Sequence, residues 1–313
     1  VTTTVAPAVA GLAYHDGRFV PLREAVLGVT TQALQYGTGV FEGIRAYPDD
    51  RGGLSLFRVA DHFRRFLNSC RVLRIDLGLD ERQLTEIGAE LLRREGASTA
   101  MYLRPLAYKH RLLPGTPPGV QLRGVSDGLS INAFRLGSYT DRAGIRCAIS
   151  AWRRPSETML PVRAKITGGY VNNALALDDA RAAGYADAIL LNSRGQVAEA
   201  TTSNVFAVRD GRLWTPPLCA DILDGITRDT VLTLAREVLG LPAGAADLTR
   251  DDLFTADEVF LTGTGAEIVP VVQLAGRPIG TGRPGPATTA LTETYHSAVH
   301  GRLPAYAHWC TPI

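Results

Sequence analysis

Lysine is nearly absent from this chain: Lys109 and Lys165 stand alone among 33 basic residues in 313. Arginine replaces lysine readily as a surface charge but not as a nucleophilic amine, because guanidinium keeps its proton in a protein. The scarcity therefore narrows where amine chemistry can reside. Net charge is also small, +2 from 33 basic and 31 acidic residues, which leaves no electrostatic case for nucleic acid or an anionic membrane. The four cysteines, Cys70, Cys147, Cys219 and Cys310, are far apart and form no CxxC pair. They read as reduced thiols, not as a disulfide frame or a metal site. No apolar run approaches the ~18 residues of a membrane span. Val1 to Ala13 lacks the basic start and apolar core of a signal peptide, so a cytoplasmic protein is expected. No GxxxxGKS/T loop is present, which argues against a nucleoside triphosphate. Internal repeats and low-complexity stretches are absent too.

What is present fits two packed domains. The chain is 45% hydrophobic and 20% charged, an ordinary globular mix. Asp16-Gly17 between Leu12–His15 and Arg18–Val20 predicts a hairpin. A strand is expected over Leu54–Phe57. Helices are expected over roughly 61–72 and 80–94, the second with capping-box spacing at Asp80 and Gln83. Strands follow over 100–108 and 129–134, with a Pro/Gly loop at 114–119 between them. The polar stretch 135–144 is the expected interdomain loop, dividing 1–134 from 145–313. Beyond it, a helix is expected over 172–183, a meander over 188–215, a helix over 227–239, a strand over 259–262 and a last helix over 289–299. Strands in bunches followed by helices indicate α+β, not a doubly wound sheet.

Several residues could carry chemistry. Lys165 lies in Arg163-Ala164-Lys165-Ile166-Thr167-Gly168-Gly169-Tyr170. An amine there could form a Schiff base, and the glycine pair would let the backbone approach a flat ring. Lys109, before the Pro/Gly loop, reads as an exposed charge. Glu199, between two strands, faces water or serves a protonated pyridine nitrogen. Thr227 follows Gly225 at a helix start, where an N-cap and a phosphate site are compatible readings. Gly263-Thr264-Gly265-Ala266 is a tight turn or an anion-binding concavity. Arg65 alone reads as a solvated helix residue, and Tyr36, Phe41, Tyr102 and Arg104 as core or rim. Together these residues supply an amine, a carboxylate and two anion sites, the inventory of a pyridoxal phosphate enzyme.

At this point the chain resembles the branched-chain amino acid aminotransferases, fold-type IV enzymes that use pyridoxal 5′-phosphate. The resemblance runs from about Gly11 to the C-terminal end. It is carried by Tyr36-Gly37-Thr38-Gly39-Val40-Phe41-Glu42-Gly43-Ile44-Arg45, Tyr102-Leu103-Arg104-Pro105-Leu106, the Lys165 segment, Glu199 to Phe206, Gly225-Ile226-Thr227-Arg228 and Phe260-Leu261-Thr262-Gly263-Thr264. It implies a smaller N-terminal α/β sandwich domain and a larger C-terminal pseudo-barrel domain. By the same resemblance, Lys165 would hold the cofactor and shuttle the proton between Cα and C4′. Glu199 would pair with the pyridine nitrogen and Tyr170 with the phenolic oxygen. Arg65, the Ile226 and Thr227 N–H groups and Thr264 would bind the phosphate. The turn through Gly265 and Ala266 would receive the substrate carboxylate. Tyr36, Phe41, Arg45 and Tyr102 would line the substrate pocket, and Arg104 would accept the distal carboxylate of glutamate. The implied reaction is ping-pong transamination between an L-branched-chain amino acid and 2-oxoglutarate, in a homodimer or larger assembly.

The chain departs from the family pattern at Ala200, Ser203, Gly265 and Leu136, all on the substrate side. Other readings share the scaffold: a D-amino acid or (R)-amine aminotransferase, an aminodeoxychorismate lyase, a specialised biosynthetic aminotransferase for an unusual amino or oxo acid, or a non-catalytic cofactor-binding module.

Overall fold

The computed structural model describes residues 11–50, 52–137 and 143–313. Much of the loop expected over 135–144 thus lies outside the described residues. Two compact units are present. The first holds the described residues up to Gly137, with Ala164–Gly168 and His308–Ile313. The second holds those from 143 to Arg163, with Gly169–Ala307. Lys165 therefore belongs to the first unit.

The first unit is built on an eight-stranded sheet. Its order is Cys310–Pro312, Leu54–Phe57, Ile44–Pro48, Met101–Leu112, Val125–Arg135, Leu12–His15 and Arg18–Pro21, with Gly39–Phe41 also paired to Met101–Leu112. The expected hairpin forms: Asp16 and Gly17 both adopt positive φ (44° and 93°), as a type I′ turn requires. Helices Val59–Val72 and Glu81–Arg94 pack their apolar stripes into one core. Phe63, Phe66, Leu84, Leu91 and Leu92 meet Leu56, Leu103 and Ile131 of the sheet. The predicted capping box is present: Gln83 N donates to Asp80 Oδ1 and Asp80 N to Gln83 Oε1.

The two central strands are longer than their composition suggests, because each continues the other's ladder. That extension corrects the reading of Lys109 as an exposed loop charge. It is 2% exposed on strand Met101–Leu112, directly opposite Asp127. Its amine pairs with Asp127 Oδ1 at 2.7 Å and donates to Arg74 O at 2.5 Å. The cross-strand carboxylate supplies the counter-charge that makes burial tolerable.

The second unit contains a closed six-stranded barrel. Val197–Ala200, Asp187–Leu191, Ile145–Arg153, Glu267–Leu274, Glu258–Gly263 and Asn204–Arg209 pair in turn, and Glu199 opposite Asn204 closes the ring. Arg212–Thr215 and Ala243–Ala245 extend it past Asn204–Arg209. The neighbours on both sides of Ile145–Arg153 are parallel to it, and the connection to Asp187–Leu191 carries helix Tyr170–Ala182. One core cluster includes Ile189, Val205, Leu261 and Val269. Phe206 and Phe260 are cross-strand partners, and their rings stack at 5.0 Å. Helices Ile226–Glu237 and Pro286–Val299 complete the unit. Strands Ile145–Arg153 and Glu267–Leu274 were not expected. The first has no clean alternation, and Pro270 inside the second argues against a central strand.

Candidate active site

In the first unit the backbone of Lys165 is tied on both sides. Phe41 N donates to Lys165 O at 3.1 Å, and Val40 bridges Ile166. Lys165 N donates to Ser69 Oγ at 3.0 Å, and Ser69 Oγ donates to Arg65 O at 2.9 Å. The amine lies over the Phe41 ring, 4.8 Å from its centroid. Gly168 makes a close backbone approach within the first unit. It packs against Gly37, whose added Cβ would meet Gly168 Cα at 2.7 Å, and its N–H donates to Gly37 O at 3.2 Å. Gly37 also has φ 67°, so a side chain there would be strained as well as crowded.

Phe41 is shared with Arg104, whose guanidinium carbon lies 4.9 Å from the Phe41 centroid and 5.1 Å from that of Tyr102. Arg104 Nη2 donates to Tyr102 Oη at 3.3 Å, while its Nε is buried without a protein partner. Tyr102 is buried, stacks on Phe134 at 5.1 Å, and fills the space beside Gly43, where a Cβ would meet its Oη at 1.7 Å. Arg45, cross-strand from Tyr102, is buried over Tyr47 and donates to Leu136 O at 2.7 Å. Tyr36 ends helix Gln32–Tyr36 and is 43% exposed.

Arg65, on the helix that carries Ser69, is largely buried against Glu42. Its Nε and Nη2 donate to the two carboxylate oxygens at 2.6 and 2.9 Å. His62 Nδ1 lies 2.9 Å from Glu42 Oε2 and must carry the proton, because a carboxylate only accepts. Burial alone would raise the Glu42 carboxyl, but the Arg65 guanidinium and His62 outweigh it and hold it well below the usual range. Burial pushes the His62 imidazole down, against the pull of Glu42. Lys165 is close enough to add to that depression.

In the second unit Glu199 is buried and held by protein donors. Arg154 Nη2 pairs with its Oε1 at 2.7 Å, while Asn204 Nδ2 and Leu223 N donate to Oε2 at 3.1 and 3.0 Å. Arg154 is itself buried and donates from Nη1 to Asn173 Oδ1 at 2.9 Å. Asn204 also shapes the following helix start. The N-cap is Gly225, not Thr227, and a Cβ on Gly225 would meet Asn204 Oδ1 at 1.9 Å. Only glycine fits, so no side chain caps this end, and Ile226 and buried Thr227 form its first turn. Tyr170 opens helix Tyr170–Ala182. Thr264, Gly265 and Ala266 form the turn between Glu258–Gly263 and Glu267–Leu274. Thr262 Oγ1, just before it, is buried without a protein partner.

Lys165, Phe41, Arg65, Tyr102 and Arg104 thus gather in the first unit, and Glu199 with the Ile226–Thr227 helix start gathers in the second. Glu42, His62, Ser69, Arg154 and Asn204 were not singled out from the sequence. The signal for His62 was there in its three-residue spacing from Arg65 on a helix face. Arg154, beside a second arginine and a proline, gave none. Within the first unit, Lys165 and Arg65 supply cations beside an aromatic ring; within the second, Glu199 supplies a fixed carboxylate and Ile226–Thr227 a helix start without a side-chain cap. Among the described residues no cluster of metal-ligating side chains occurs, and no helix is long and apolar enough to cross a membrane.

The sequence matches the family described as amino-transferase class IV over residues 39–274. It is 41% identical over 303 residues to a probable branched-chain-amino-acid aminotransferase of Aquifex aeolicus, covering 96% of each chain. Among solved structures, it is similar to the branched-chain aminotransferase of Thermoproteus uzoniensis with norvaline. That match has TM-score 0.91 and 40% identity, over 97% of this chain and 99% of the other. The branched-chain amino acid aminotransferase of Thermobaculum terrenum in its PLP-form matches with TM-score 0.91 and 34% identity, over 98% of this chain and 99% of the other.

Proposed function

We propose, since this chain belongs to the class IV aminotransferase family, that it moves an amino group between an L-branched-chain amino acid and 2-oxoglutarate, giving a branched 2-oxo acid and L-glutamate. The cofactor is pyridoxal 5′-phosphate, which when bound supplies an aldehyde to take the nitrogen and a ring to draw electrons from the reacting carbon.

The observation that carries this reading is the Lys165 amine, tied at its backbone and placed over Phe41 beside Arg104 and Tyr102. Lys165 holds the cofactor and moves the α-proton of the substrate. Glu199 keeps a proton on the pyridine nitrogen, and Tyr170 donates to the phenolic oxygen. Arg65, the Ile226 and Thr227 N–H groups and Thr264 hold the phosphate. Gly265 and Ala266 present N–H groups to the substrate carboxylate.

Two different side chains must use one pocket in alternation. Tyr36, Phe41 and Tyr102 offer ring surface to an aliphatic chain, with Arg45 setting the wall behind Tyr102. Arg104, whose guanidinium carbon lies over two of those rings, meets the distal carboxylate of glutamate with its fork.

Residues 1–134 serve as the small domain and 145–313 as the large cofactor-binding domain, joined through 135–144, except that Ala164–Gly168 and His308–Ile313 belong to the first unit. The working form is a cytoplasmic homodimer or larger assembly. Exposed Val26, Val29 and Leu34, close together in sequence, support a self-association surface. Nucleic acid and membrane are not partners.

Incubation with L-leucine and 2-oxoglutarate tests the reading. Glutamate and the branched 2-oxo acid should form, and D-leucine should give none. Glutamate from D-leucine alone, or pyruvate from aminodeoxychorismate with no glutamate from L-leucine, would replace this reading with one of its same-fold rivals.

A further inference from the structure

We infer that Glu42, backed by His62, is a positioning residue for Arg65: it holds the guanidinium in the orientation in which the edge turned away from Glu42 meets the cofactor's phosphate. The inference rests on the proposed phosphate role of Arg65 and adds what makes that role possible.

Glu42 is fully buried, so it is not a surface charge that happens to lie near an arginine. Four donors converge on it. Arg65 Nε reaches Oε1 at 2.6 Å. Arg65 Nη2, His62 Nδ1 and Gly43 N reach Oε2 at 2.9, 2.9 and 3.1 Å. Each oxygen is thereby fixed in direction, and the carboxylate cannot rotate without breaking several bonds. Arg65 grips it with two nitrogens on one edge of a planar fork. Two parallel bonds set the plane of the guanidinium as well as its place.

A carboxylate this close cancels part of the positive charge that an anion would feel. An arginine used as charge alone would be better without it. What the pair supplies is orientation, since a long side chain otherwise loses much rotamer freedom when it meets its ligand. His62 completes the arrangement: its proton faces Glu42 and its buried ring carries no extra charge into the cluster.

The cluster also adjoins the amine it would serve with. Lys165 acts electrostatically on His62, and Ser69, one turn beyond Arg65, holds Lys165 N. One helix, Val59–Val72, therefore sets both the predicted phosphate ligand and the backbone of the predicted cofactor lysine.

The test uses apoenzyme titrated with pyridoxal 5′-phosphate and, separately, with pyridoxal, read by the absorbance of the bound chromophore. The two probes differ only in the phosphate. Glu42→Gln should lower the preference for the phosphorylated probe about tenfold, the loss of roughly one charge-assisted hydrogen bond, with pyridoxal affinity nearly unchanged. His62→Gln, which keeps the carboxylate, should lower it less. Arg65→Gln calibrates the assay. If Arg65→Gln lowers the preference and Glu42→Gln does not, the positioning role is wrong and the phosphate role stands. If Arg65→Gln leaves the preference unchanged, the phosphate role itself is wrong and the inference goes with it. Equal loss of both probes in Glu42→Gln would mean a structural ion pair only, and also overturns the inference. Should Glu42→Gln fail to fold, His62→Gln decides: an unchanged preference overturns the inference, a lowered one supports it.

Discussion

The two units orient their key charges by inverse means. In the first, a cation, Arg65, is gripped by a buried carboxylate, Glu42. In the second, a carboxylate, Glu199, is gripped by a buried cation, Arg154. Each pair is closed by neutral donors: His62 and Gly43 N around Glu42, Asn204 and Leu223 N around Glu199. A buried ion pair is a poor way to gain stability, because desolvation offsets most of the attraction. It is a good way to fix direction. Both pairs fix the direction of one member, the one that the proposed function turns toward the cofactor.

The largest expected effect tests the aimed carboxylate. Glu199→Gln should lower kcat/KM for L-leucine about a thousandfold, the scale of losing an electrostatic partner of the reacting system. Steady-state kinetics with an intact thermal melt would check it. A loss of tenfold or less would remove Glu199 from the comparison. Next, Lys109→Met sharpens it from outside. Lys109–Asp127 is a buried pair with no proposed ligand role, so breaking it should cost about 3 kcal/mol of stability and leave kcat/KM nearly unchanged. Denaturant unfolding reads the first and kinetics the second. Arg154→Gln follows, with about a tenfold loss of kcat/KM, as expected for a partner that orients a functional group. An effect equal to that of Glu199→Gln would mean Arg154 does more than orient.

The smallest effect is one of pH. The His62 imidazole is held below its ordinary value, so the unfolded state binds its proton first as pH falls. Its contribution to stability is present above about pH 6.5 and declines below it. Glu42, also held low, adds a second decline beginning near about pH 4.3. Melting temperature should therefore fall from pH 7 to pH 5, and His62→Gln should flatten that fall. An unchanged slope would show that His62 is not the titrating group.

Much of the fold was legible where a local rule decides it. The Asp16-Gly17 hairpin, the Asp80–Gln83 capping box and the amphipathic helices all follow from neighbours in sequence. The barrel closure was not, since it needs Ile145–Arg153 to pair in parallel with Glu267–Leu274, far along the chain. Strand Glu267–Leu274 was hidden by Pro270. The individual members of the site were legible as residue types and motifs, Lys165 above all. Their partners were not. Glu42 lay inside a motif read for its aromatics, and Arg154 had no sequence pattern at all, because each matters only through a contact made in three dimensions. Thr227 at the N-cap was a sound local reading, displaced by the side chain of Asn204 against Gly225.

Two lysines make the central claim unusually simple to test. Lys165 lies over an aromatic ring near cations, whereas Lys109 is locked to Asp127 and a carbonyl. Borohydride reduction of the purified yellow holoenzyme, followed by peptide mass mapping, fixes the cofactor to the amine that holds it. The account predicts the phosphopyridoxyl mass on the Lys165 peptide and none on the Lys109 peptide. Label on Lys109, or no label on Lys165 with the yellow colour bleached, would contradict it.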